Sequence, residues 1–420
     1  MKPALPKSET NLYTNLLGFV ASLLAIYFLK DSGISRFDTA LAVLAISVAP
    51  ILLLEFFVHK RHRQPTAKLG ATRKANQSRV LVKCFGLIGV LLIFGAAYGL
   101  IPEYDKPFYN GVWPFYLSLL PFILIGAPFY FMWCDARQED PEDGYYQLGK
   151  AMLLQWKGRD GREIMRLLRN WLVKAFFLPL MFTYAIDSIN SLQTTDIPDT
   201  LTFMKVFLIA QAIIMFADLL YATLGYIFTL RMFNAHIRSS EPTFLGWVVA
   251  IMCYYPFWQL LFYPSFLAYD DGLNWDEIMP AGIAQYIWGS AILFFYTVYS
   301  LATVCLGIRF SNLTYRGLVS NGPYRFTKHP AYVAKNIAWW LVSMPFISHV
   351  SIGAALTCTA ALMGISTIYF IRARTEERHL SNYPEYVEYA LAMNERSVFA
   401  PLAKRLTFLQ YKKPETLPNI

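Results

Sequence analysis

The chain has 420 residues, of which 56% are hydrophobic and only 15% charged. A soluble globular domain carries roughly 25% charged residues, so this composition excludes an ordinary soluble domain and points to a polytopic membrane protein. The formal charge of +9 is read as basic loops on one side of a membrane rather than as a nucleic-acid surface, because the lysines and arginines concentrate between apolar runs.

Ten apolar runs follow in chain order, at 12–30, 39–58, 80–101, 112–133, 171–187, 202–230, 244–268, 283–309, 330–346 and 351–371. Each is about long enough to cross a hydrocarbon core of ~30 Å, with 330–346 at the short limit. In lipid every backbone polar group must be satisfied internally, and these runs do not alternate as barrel strands would. The predicted fold is therefore all-α, a polytopic membrane protein of about ten transmembrane helices. The first run is read as a retained span, because Lys30 follows it and no small-residue cleavage site does.

The loops set the orientation. Segment 59–79 holds Lys60, Arg61, Arg63, Lys68, Arg73, Lys74 and Arg79, with no acid. Segments 134–170, 231–243 and 309–329 are also basic. Segments 188–201 and 269–282 hold no Lys or Arg and carry Asp196, Asp199, Asp270, Asp271, Asp276 and Glu277. Basic and non-basic loops alternate at every crossing, which predicts both termini on the cytoplasmic side. The expected location is a multi-pass integral membrane protein, of the inner membrane if bacterial. Residues 1–282 form an N-terminal membrane region of about seven helices, and 283–420 a C-terminal membrane region with a cytoplasmic tail. Segment 145–170 has Leu, Met and Trp at mixed helical spacing and is expected along the membrane interface.

Five scattered cysteines form no CxxC pair, and no Cys/His spacing suits a metal, so none is expected. Two acids fall within or near spans. Glu55, near the cytoplasmic end of the second run, can snorkel and is expected to be mostly structural. Asp218, in "QAIIMFADLLYATLGY", lies at mid-membrane depth, where an acid faces a cavity or a partner. It is a candidate substrate-binding residue.

Two polar segments carry the chemistry. In "NGPYRFTKHPAYVAKN", residues 321–336, Pro330 suits the first turn of a helix and places His329 at its N-cap. Tyr332 and Asn336 follow at helical spacing, so His329, Tyr332 and Asn336 share a face. The free N–H groups of that helix start suit a carboxylate. Read alone, the segment also fits an interfacial anchor. After the last span comes "IRARTEERHLSNYPEYVEYALAMNERSVFAP", residues 371–401. Arg372 and Glu376 stand at i,i+4, the spacing of a surface salt-bridge ladder. The connection between the last two runs is short, so they must form an antiparallel hairpin. That topology brings the His329 end and the Glu376 end to the same side of the membrane.

The two motifs together resemble the isoprenylcysteine carboxyl methyltransferase family, whose wider relatives include phospholipid N-methyltransferases. The matching positions are Gly322, Pro323, Tyr324, His329, Pro330, Tyr332, Arg374, Glu376, Glu377, Leu380, Tyr386 and Tyr389, with Arg396 at the family's late arginine. Lys328 stands where the family usually has Arg, and Ala334 and Lys335 stand where it has Gly and its neighbour. The resemblance covers residues 310–401. It implies an S-adenosyl-L-methionine pocket built by the last hairpin and the tail, and a lipid-like or lipidated substrate entering from the bilayer. Cofactor contacts are then expected from Tyr324, His329, Tyr332, Asn336, Glu376 and Glu377. Arg374 and Arg396 are expected to neutralise a carboxylate acceptor, which would need no general base. The competing readings are an NADPH-dependent sterol-type membrane reductase and a lipid transporter.

Overall fold

The computed structural model describes residues 3–195, 200–262, 267–270 and 272–415. Asp196, Asp199 and Asp271, counted above among the acids of the non-basic loops, lie outside the described residues.

The described chain is mostly helical and has almost no strand. The first helices are α1 (Leu12–Leu29), α2 (Arg36–Leu53), α3 (Gln77–Leu100) and α4 (Val112–Asp135). A short α5 (Gly144–Met152) leads to the long α6 (Gly161–Thr194) and to α7 (Phe203–Ile227). Three short helices follow, α8 (Phe244–Ile251), α9 (Phe257–Phe262) and α10 (Trp275–Ile278). The C-terminal part comprises α11 (Ile283–Leu306), α12 (Pro330–Ser343), α13 (Ile352–Leu380), α14 (Pro384–Arg396) and α15 (Ala400–Arg405). The side chains of Asn11, Ser35, Asn76, Asp160, Thr202 and Ser351 each accept a backbone N–H of the first turn they precede. These caps satisfy donors that a helix start leaves free, and so they fix where each apolar run becomes helix.

Among the described residues, eight helices are long and apolar enough to cross a membrane. They coincide with eight of the ten predicted runs. The other two predicted runs are built differently. Run 244–268 is broken into α8 and α9, with Pro256 in the break and residues 263–266 outside the described set. Proline lacks the N–H that a continuous helix needs. Run 330–346 yields only α12, 14 residues ending where Met344 turns left-handed at φ 40°. At 1.5 Å per residue it covers ~21 Å. It still reaches the opposite end of the bundle, where Met344 packs with Phe207, Trp275 and Ile292, and where Trp288 Nε1 donates to the Leu341 carbonyl at 2.9 Å.

Helix contacts in lipid depend on close backbone approach, which small residues permit. A Cβ at Gly18 would stand 2.8 Å from the Ser47 carbonyl oxygen, so α1 and α2 meet backbone to backbone. At the α3–α5 contact a Cβ on Gly86 would meet the Tyr145 carbonyl oxygen at 1.9 Å, and one on Gly149 the Val82 oxygen at 1.9 Å. Segment 145–170 is divided between α5, which is locked against α3, and the start of α6 at Gly161.

The basic loops knit together at one end of the bundle. The chain near Leu69 pairs with Gln138, and Ser239–Ser240 pairs antiparallel with Thr314–Tyr315. Asn234 donates to Glu9, Gln64 and Thr66, and Glu9 holds Arg238. Arg316 is buried and donates to the carbonyls of Gly225, Phe228, Ala235 and Phe310. Glu55 has a structural place, reached by pairing inside the fold rather than by snorkelling. It is 2% exposed and pairs with Arg61 at 3.1 Å and Arg309 at 3.3 Å, because two guanidiniums from separate loops reach it inside the fold.

His236 sits within this knot. Its Nδ1 is buried without a hydrogen-bond partner. Burial, reinforced by Arg231, Arg238, Arg316 and Arg309, holds its pKa well below the usual 6.5. The native state thus binds fewer protons than the unfolded chain below pH 6.5. The stability this contributes is full above 6.5 and is lost as pH falls through 6.5 toward the native value, at up to about 1.4 kcal/mol per pH unit. His236→Asn is expected to flatten the acid limb of a melting-temperature profile between pH 7 and 5. An unchanged slope would show that other groups set the acid sensitivity.

Candidate functional site

α12 starts as its sequence dictates, with Pro330 in the first turn and His329 preceding it as N-cap. The chain before it, residues 307–329, contributes Phe310, Asn312, Tyr324 and Lys328. α13 runs back antiparallel and ends in the Arg-Glu-Glu motif. The hairpin closes as the topology requires. Tyr332 donates to Glu376 Oε2 at 2.7 Å, and His329 Nε2 lies 3.1 Å from Glu377 Oε1. Deeper, Trp340 Nε1 donates to Ser366 Oγ at 3.2 Å. The His329 and Tyr332 rings are parallel, with centroids 5.6 Å apart.

A cavity opens at this junction. Its walls include Glu241, Gly246, Thr303, Phe310, Asn312, Tyr324, Lys328, His329, Tyr332, Arg372, Glu376 and His379. Glu377 stands behind the wall and organises it. One oxygen takes Lys328 at 2.5 Å and His329 at 3.1 Å, and the other takes Arg374 at 2.7 Å. Burial draws the Lys328 pKa below its usual range, while the Glu377 carboxylate pulls it up. Burial also raises the Tyr324 phenol well above its usual range, and Glu376 adds to this.

The tail braces the site. Tyr389 donates to the Tyr324 carbonyl at 2.7 Å, Tyr411 bonds Ser381 at 2.7 Å, and Lys328 lies over the Tyr411 ring.

The predicted site residues separate into groups. The structure brings Tyr324, His329, Tyr332 and Glu376 together on the cavity wall, with Glu377 immediately behind. Asn336 is one turn deeper and donates to the Tyr332 carbonyl at 2.8 Å. Asp218 is not on the wall. Its oxygens accept from Tyr299 and Thr303, both at 2.5 Å, and only Thr303 reaches the cavity. Arg374 is directed to Glu377 and the Gln410 carbonyl. Arg396 donates to the Pro3 carbonyl at 2.8 Å and has no place on the wall.

Three ionisable wall residues escaped the sequence reading. Arg372, expected in a surface ladder with Glu376, is 5% exposed. It donates instead to Asn312 Oδ1 at 2.6 Å and lies over the Tyr332, Tyr254 and Tyr369 rings. Helical spacing allows an i,i+4 pair, but neighbouring helices decide which way the side chain turns. His379 lies between the motif's fixed positions. Glu241 was legible only as an acid within a basic loop.

The sequence profile of the Isoprenylcysteine carboxyl methyltransferase (ICMT) family matches residues 286–382. The match runs from α11 to just past α13, so it includes the whole hairpin but not Tyr386, Tyr389 or Arg396. No curated protein and no solved structure matches the chain. The C-terminal part of this integral, multi-pass membrane protein therefore carries the ICMT family match, which supports a membrane methyltransferase.

Proposed function

We propose that the cavity binds S-adenosyl-L-methionine and that the protein transfers its methyl group to a lipid-like acceptor drawn from the bilayer. The observation that carries this reading is the double clasp of the last hairpin, Tyr332 to Glu376 and His329 to Glu377, which shapes one polar cavity from the family-matched segment.

The donor set fits that group. Glu376 spends one oxygen on Tyr332 and offers carboxylate chemistry to hydroxyls or an ammonium. Arg372 and Lys328 supply positive charge for a carboxylate. The Tyr332 and Phe310 rings supply π faces of the kind that attract a sulfonium. When bound, the cofactor supplies an electrophilic methyl group. The chain's own part is positional: Glu377 pins Lys328 and His329, and the tail braces Tyr324. Positioning and charge matching then supply the rate.

Thermal stabilisation of the detergent-solubilised protein tests this reading. S-adenosylhomocysteine at about 100 times its Kd is expected to stabilise the fold by ~2.7 kcal/mol, and NADPH not at all. Stabilisation by NADPH and not by S-adenosylhomocysteine would overturn it in favour of a reductase.

A further inference from the structure

One constellation on the cavity wall has no role in the binding scheme above. Glu241 and His379 both line the cavity, although they are only 1% and 2% exposed. Glu241 Oε2 lies 3.8 Å from His379 Nδ1. His379 Nε2 lies 2.8 Å from Ser239 Oγ, and Ser239 accepts from Tyr383 at 2.7 Å. His379, Ser239 and Tyr383 are thus hydrogen-bonded in series, and Glu241 stands beside His379 at the cavity end of that series.

The order Ser–His–Glu suggests a nucleophilic serine, but Ser239 is fully buried, lies behind His379 and does not reach the cavity. The carboxylate and the imidazole do. Tyr383 donating to Ser239 leaves the serine proton for His379 Nε2, so Nδ1 carries its proton toward Glu241. Glu241 is built into its place. Its Oε1 accepts both the backbone N–H and the hydroxyl of Thr243, and Trp247 Nε1 donates to its carbonyl at 2.8 Å. A Cβ at Gly246 would stand 2.4 Å from Glu241 Cγ, so glycine makes the room. Oε2 is left for His379 and the cavity. Burial raises the Glu241 pKa above the usual carboxylate range, toward that of a working base. The charged groups facing the pair are Arg169 of α6 and Arg378 of α13.

Resting on the methyltransferase reading, we infer that Glu241, oriented by Thr243 and backed by the His379–Ser239–Tyr383 chain, is the general base of the transfer, and that the methyl acceptor is a proton-bearing hydroxyl or amine. A carboxylate acceptor needs no base and does need a guanidinium. Both arginines expected for that task stand off the wall, Arg374 on Glu377 and Arg396 on Pro3, and the one guanidinium among the lining residues, Arg372, is held by Asn312 and is assigned above to the cofactor's own carboxylate. In the step, the acceptor's O–H or N–H gives its proton to Glu241. Its lone pair forms the bond to the methyl carbon. The carbon–sulfur bond breaks, its electron pair returns to sulfur, and the sulfonium charge is discharged. Thr243 holds the carboxylate beforehand, and His379 turns Nδ1 toward its other oxygen from 3.8 Å.

The experiment uses the full-length protein in proteoliposomes of total membrane lipid extract with methyl-labelled S-adenosylmethionine. It reads calorimetric S-adenosylhomocysteine affinity, the pH profile of labelling, and the stability of the label to mild alkali. Wild-type product is expected to keep its label in alkali, as an ether or N-methyl group does. Glu241→Gln is expected to bind S-adenosylhomocysteine like wild type, to label about 10²–10⁴-fold more slowly and to lose the acid limb of the pH profile, with partial rescue by Glu241→Asp. Label released by alkali as methanol would mean a methyl ester and overturn the proposal, as would a wild-type rate in Glu241→Gln. If that variant fails to fold, the alkali result on wild type decides alone. Wild-type protein that binds no S-adenosylhomocysteine would instead overturn the methyltransferase reading itself.

Discussion

Glu55→Ala is expected to lower the unfolding free energy by about 3–5 kcal/mol, the cost of leaving buried charge without its partner. Glu55 takes one guanidinium from the loop after α2 and another from the end of α11, and these side chains are almost fully enclosed. Removing the carboxylate leaves Arg61 and Arg309 facing each other with no anion between them. Arg309 also donates to the carbonyls of Phe233 and Asn234, so Arg309→Met strands those acceptors as well. Chemical unfolding in detergent measures both changes. The double variant is expected to cost less than the sum, because the two residues share one interaction. A loss below ~1 kcal/mol for Glu55→Ala would show that water reaches the pair and that this knot is not what holds the two halves of the chain together.

Glu377→Gln is expected to weaken S-adenosylhomocysteine binding about 30-fold, the equivalent of ~2 kcal/mol for removing one partner of a buried hydrogen-bonded charge pair. The variant keeps the side-chain shape but takes away the charge that gathers Lys328, His329 and Arg374. Its effect is through the wall, since Lys328 and His329 line the cavity and Glu377 does not. His329→Ala should weaken binding in the same direction. Arg396→Ala should leave it unchanged, because that guanidinium is spent on the Pro3 carbonyl. Calorimetry on folded variants checks all three. Unchanged affinity in both Glu377→Gln and His329→Ala would remove the clasp from the binding site.

Much of this molecule was legible before folding. Apolar runs of about 20 residues can only be helices in lipid, so eight of the ten runs appear as long apolar helices near their predicted places. Loop charge sorted the connections correctly enough that the basic segments meet at one end of the bundle. The convergence of His329 with Glu377 followed from the hairpin alone, because two helices joined by a short connection must run antiparallel. The break at Pro256 was less legible. A proline inside an apolar run ends the helix or is absorbed as a kink, and α6 continues straight through Pro179.

The direction of individual side chains was another matter. Sequence spacing gave Arg372 a partner one turn along its own helix, whereas Asn312 and the tyrosine rings of neighbouring elements provide the better site. Glu55 had the reach to snorkel but two guanidiniums made the interior cheaper than the headgroups. Asp218, expected to bind substrate, is instead held by Tyr299 and Thr303 off the cavity wall. The approach of Glu241 to His379 spans 138 residues of sequence, in a loop tied down by the β-pairing of Ser239–Ser240 with Thr314–Tyr315 and by the contacts of Ser239 with His379 and Tyr383. Periodicity and charge bias are local and repeat along the chain, so the sequence by itself determined most of the helices, the grouping of the basic loops and the hairpin that carries the candidate site. Which polar groups face the cavity depends on contacts between segments far apart in the chain, and that the tertiary structure alone decided.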